Sequence, residues 1–109
     1  MSNYYPDKWC LIKISGTDPH YRVFGTWSGG YLDGDSWRMN SGITSVTEDD
    51  DKYYFKGYSG SVYECHKDTY GSNMYGYGVI KGYSDKTYGD LFSLIEEKPK
   101  NIMGMDWFI

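Results

Sequence analysis

Residues 20–27, "HYRVFGTW", set Tyr21, Val23, Gly25 and Trp27 in strict alternation with His20, Arg22, Phe24 and Thr26. A period of two with β-branched and aromatic residues on both sides of the pleat is the pattern of a strand. Upstream, "GTDPH" is a turn by its glycine and proline, and "WCLIKI" (9–14) is an apolar run. That run places Cys10, Ile12 and Ile14 on one face and Trp9, Leu11 and Lys13 on the other, as expected of a central strand. Downstream comes "GTWSGGYLDGDSWRMNSG" (25–42), five glycines among costly aromatic side chains. It reads as a loop in which the second strand ends.

Strand character resumes in "GITSVTE" and "KYYFKGY", joined across the acidic turn at 49–51, and again in "VYECH" (62–66) after the turn "SGS". Tyr63 and Cys65 there alternate with Val62, Glu64 and His66. "DTYGSNMYGYG" reads as loop and "VIKGYS" (79–84) as a short sixth strand. The single helical signal is "TYGDLFSLIEEKP": Thr87 and Asp90 stand at capping-box spacing, Leu91, Leu94 and Ile95 share a face, and Pro99 follows. The chain has thirteen Tyr and fourteen Gly and no Ala, a composition that disfavours helices elsewhere.

At 109 residues one domain is expected. The fold class is mainly β: a small antiparallel meander closing into a partly open barrel, SH3-like or OB-like, with one short C-terminal helix. Residues 84–109 form that helix and an apolar tail, "NIMGMDWFI", which must dock on the barrel or on another copy. A homo-oligomer built through the tail is the expectation.

Eleven basic against fifteen acidic residues, net −4, argue against duplex DNA and anionic membrane as partners. "MSNYYPDKWC" shows no charged-plus-apolar leader, which makes the cytoplasm the expected compartment. Cys10 and Cys65 read as reduced thiols, with one bridge in an exported protein as the other option. "ECHKD" (64–68) gathers metal-ligand types, yet the pleat sends Cys65 and His66 to opposite faces. The run Glu48 to Asp51 lacks the spacing of a calcium loop. With no Gly-x-Ser-x-Gly elbow or other nucleophile-base arrangement, neither catalysis nor a cofactor is expected.

The glycine segment does hold the parts of a binding site. Trp27, Tyr31 and Trp37 offer flat faces, Arg38 a forked donor set, and Asn40 and Ser41 amide and hydroxyl groups, with Tyr58 in "YSGS" as a second wall. Aromatic stacking plus one arginine grips a base and a phosphate without a basic surface. The competing reading is that these aromatics anchor a loop to the core.

"YYPDKWCLIKI", "YRVFGTWSGGYLDGDSWRMNSGI" and "YYFKGYSGSVYECHKDTYG" resemble a group of small accessory proteins encoded by large tailed bacteriophages, over residues 4–71. The resemblance implies a protein working in the host cytoplasm against bacterial defence. Some such proteins are sponges, oligomers that sequester nucleotide-type immune signals without cleaving them. Two other functions stay open: an acidic, tyrosine-rich inhibitor of a host protein, and a phosphodiesterase-like enzyme degrading the signal.

Overall fold

The computed structural model describes residues 3–16, 18–30, 34–83 and 92–107. The described residues form eight strands: β1 (Asn3–Tyr4), β2 (Lys8–Ile14), β3 (His20–Gly30), β4 (Gly34–Met39), β5 (Ile43–Glu48), β6 (Lys52–Gly57), β7 (Val62–His66) and β8 (Phe92–Ile95). Among the described residues one α-helix, α1, spans Met74–Gly82, and a single 3-10 turn covers Ile102–Gly104. The strands form two four-stranded sheets, ordered β1-β7-β6-β5 and β4-β3-β2-β8. Among the described residues the two sheets do not close on each other, so the mainly-β expectation holds with closure only partial.

The alternation in β2 and β3 sets up two cores. Trp9 faces Gly25 and Leu11 faces Val23 across the ladder, while Cys10 faces Phe24. The Trp9, Leu11 and Val23 side packs with Ile43, Phe55, Tyr63 and Cys65 between the sheets. The opposite side, Cys10, Ile12 and Phe24, meets Ile80 of α1 and Phe92. Four successive buried residues in β2, Trp9 to Ile12, follow from cover on both faces.

Three local expectations are corrected. The glycine segment is a hairpin: β3 runs on to Gly30 and returns as β4, with a register shift after Trp27. Residues 92–95, read as helix, are a strand on the edge of β2, with Leu94 opposite Ile12 and Phe92 opposite Ile14. Phe92 and Leu94 alternate onto the apolar face of β2, and that tertiary match overrides the local helical pattern. The Tyr70 hydroxyl fastens the junction, accepting from the Leu11 amide (3.1 Å) and donating to the Ile95 carbonyl (2.6 Å).

The helix lies instead at 74–82, where loop and strand were expected. Asn73 caps it by accepting from the Gly76 amide (2.8 Å), and Gly76 and Ile80 are its buried residues. Three glycines in nine residues make a poor intrinsic helix, so packing on the sheet holds it.

The tail docks on its own fold. Ile102 and Trp107 are buried in the inter-sheet core, Trp107 lying edge-on to Tyr21 and Phe55 at 5.8 Å. The Trp107 carbonyl accepts from the Tyr21 amide (3.2 Å), on the stretch of β3 that lies beyond its pairing with β4.

Candidate functional site

Because Trp37 and Arg38 are consecutive in a strand, the pleat sends them to opposite faces. Trp37, opposite Thr26, turns toward the helix layer. There it stacks on Phe24 (5.3 Å, 8° between planes) and meets the edge of Tyr83 at 5.8 Å. Arg38, opposite Gly25, turns the other way and is exposed. Its guanidinium carbon lies 4.5 Å from the centre of the Tyr4 ring, a cation-π contact. Tyr4 in turn leans on Tyr63, ring centres 5.0 Å apart.

Trp27 shares the Arg38 face. Its indole N–H donates to the Tyr5 carbonyl (3.0 Å), and its ring lies beside Gly25. A Cβ at position 25 would stand 2.9 Å from Cβ of Pro6 and 3.6 Å from the Trp27 ring, so this glycine is what lets Pro6 and the indole close over the strand. The result is a corner where the edge strands β1 and β4 meet: Tyr4, Tyr5, Pro6, Trp27 and Arg38. Among the described residues the Arg38 guanidinium has no carboxylate partner.

Asn40 and Ser41 belong to the crossing from β4 to β5, and Tyr58, in the turn after β6, packs on that crossing. Asn40, 4% exposed, clasps Val23: its Oδ1 accepts from the Val23 amide (2.9 Å) while its backbone N–H donates to the Val23 carbonyl (3.0 Å). Ser41 Oγ accepts from the Ser59 amide (3.2 Å). Tyr58 is exposed and its ring covers Gly42, whose φ of +127° suits glycine. The fold thus brings together Trp27 with Arg38, groups Asn40 and Ser41 with Tyr58, and puts Trp37 on the far face. Tyr31 lies outside the described residues.

Tyr4 and Tyr5 were not singled out from sequence. The doublet "YYP" is visible at 4–6, but Tyr4 reaches Arg38 only because β1 pairs in parallel with β7, Tyr4 opposite Tyr63.

The remaining chemistry-bearing groups have structural settings. Cys10 and Cys65 are free and buried, and burial pushes the Cys10 thiol up to about 12 and that of Cys65 well above its usual value. Cys65 sits in the core while His66 is exposed on the opposite face. Among the described residues no group of three or more His, Cys, Asp or Glu could hold a metal.

The acidic turn is a hairpin clamp. Asp49 Oδ1 accepts from the Asp51 and Lys52 amides (2.9 and 2.8 Å), and Oδ2 accepts from the Tyr54 hydroxyl (2.5 Å). Chiefly the Tyr54 bond, then the two amides, hold the Asp49 carboxyl at about 2, and the same bond lifts the Tyr54 phenol to about 12. No described helix is long and apolar enough to cross a membrane.

Comparison with known proteins finds no matching family, no matching curated protein and no matching solved structure.

Proposed function

We propose that this chain is a non-enzymatic binding protein that sequesters a nucleotide-type signalling molecule, in the manner of a phage anti-defence sponge. The observation that carries the reading is the corner at β1 and β4. An exposed arginine lies over a tyrosine ring, unopposed by any described carboxylate, with a half-buried indole on the same face. Such a guanidinium offers its in-plane N–H groups to a phosphate while the flanking rings offer faces to a base. Trp37 supports the hairpin from beneath; Tyr4 takes the stacking role beside Arg38.

The test is native mass spectrometry of protein recovered from bacteria with active nucleotide-based immune signalling. An intact anionic small molecule bound to the parent and missing from Arg38→Ala is the expected result. Parent protein that carries nothing, or a molecule recovered as cleaved product, would contradict it.

A second reading, contact with a host protein, is favoured by α1. Met74 is 86% exposed, Tyr75 47% and Tyr77 42%, an aromatic and thioether surface of the kind that anchors interfaces.

A further inference from the structure

Among the described residues each sheet ends in two edge strands, and natural proteins blunt such edges with charge, brevity or bulges. Three of the four are blunted here. β1 has two residues and β8 four. β4 carries Asp35 and Arg38 and pairs through a shifted register. β5 differs: six residues long, it has no charged side chain from Ile43 to Thr47, and after one irregularity at 43–45 its ladder is regular.

The direction of its unpaired groups follows from the ladder. The Asp49 amide donates to the Lys52 carbonyl (3.0 Å), which makes that pair a bonded one. Bonded and non-bonded pairs alternate along an antiparallel ladder. Thr47 and Ser45, opposite Tyr54 and Lys56, therefore direct their amides and carbonyls to β6. Val46 and Glu48 direct theirs to the open edge.

We propose that β5 is a self-association edge, pairing antiparallel with β5 of a second copy across a two-fold axis to join the two sheets into one. Outward groups must meet outward groups, and the register that uses the run 44–48 sets Val46 against Val46 of the second copy. Glu48 then faces Thr44 and Ser45 faces Thr47. Charge selects this arrangement. The chain is net −4, and a parallel pairing would set the two acidic tips at 49–51 side by side; the antiparallel one sends them to opposite ends. Glu48, the one charge in β5, is already matched by Lys67 at 2.6 Å and meets no second carboxylate. Val46, half-buried against the inter-sheet core, gains an apolar neighbour. A single strand pair is a small interface, so the association is weak and concentration-dependent. The inference does not rest on the proposed ligand.

Sedimentation velocity from low micromolar to near-millimolar protein tests it. The parent is expected to shift from monomer to dimer. Ser45→Lys combined with Thr47→Lys opposes like charges twice across the axis and should weaken dimerisation about tenfold or more, whereas Ser45→Lys with Thr47→Glu should restore it. These side chains are exposed in the monomer, and circular dichroism checks that each variant folds. Amide exchange on the parent gives a second readout: Val46 and Glu48 should be protected at high concentration and lose protection on dilution. A parent that stays monomeric throughout, a double-lysine variant that dimerises as the parent does, or Val46 and Glu48 amides insensitive to concentration would overturn the proposal.

Discussion

Asp49 and Tyr54 show how much a single side chain can organise at the surface. One carboxylate collects two backbone amides and a phenol, and so closes the turn between β5 and β6 where three consecutive aspartates would otherwise repel. The sign of the pH dependence follows from the two shifts. Asp49 is lowered, so its contribution is complete above the ordinary carboxylate range and is lost as pH falls through about 2. Tyr54 is raised, so its contribution is complete below the ordinary phenol value and is lost as pH rises through about 12. The clamp therefore holds across the whole neutral range. In a carboxyl-detected NMR titration Asp49 should show a midpoint near 2 in the parent, moving upward toward the ordinary range in Tyr54→Phe. An unchanged midpoint in that variant would show that the amides alone hold the carboxylate.

At the scale of elements, α1 is the instructive case, because its glycines have opposite roles. A Cβ at Gly76 would fall 2.0 Å from Ser72 Oγ and 2.5 Å from Thr26 Cγ2, and Thr26 is buried in β3. Gly78 has nothing within 4 Å. Gly76→Ala should cost about 1–3 kcal/mol by forcing the helix off the sheet, while Gly78→Ala should stabilise by about 0.5–1 kcal/mol by restricting the unfolded chain. Urea denaturation of the two variants checks this; effects of the same sign would mean that α1 does not pack on β3 as described. The same elements mark what the sequence could reveal. β2, β3, β5, β6 and β7 were legible because each is a short run rich in β-branched and aromatic residues bounded by turn residues, whether one face is buried, as in β6 and β7, or both, as in β2 and β3. β4 was hidden by glycine, and α1 and β8 traded identities because each is held by the sheet it packs on rather than by its own propensity. Trp27 and Arg38 were legible as a pair of interest. The facing of Trp37 was not, since reading 25–42 as loop discards the strand parity that separates it from Arg38.

For the whole molecule, the tail completes the core. Ile102 and Trp107 fill the space between the sheets, so the apolar terminus is covered by its own chain at these two positions, and the case for a partner rests on β5 instead. Trp107→Ala should cost about 3–5 kcal/mol in thermal or urea unfolding, the range for a buried large aromatic. A loss below about 1 kcal/mol would mean that the tail is an accessory to an already closed fold. The ligand proposal concerns the corner where β1 and β4 meet. Isothermal titration of cyclic dinucleotides and of ADP-ribose into the parent and Arg38→Ala, each with its unfolding curve, tests it most directly. The parent should bind one of these ligands unchanged, and Arg38→Ala should weaken binding by about 2 kcal/mol or more through loss of charge-assisted bonds while its stability stays within about 1 kcal/mol of the parent. A parent that binds none of them, or an Arg38→Ala protein that binds as the parent does, would contradict it and move the working surface to the exposed face of α1.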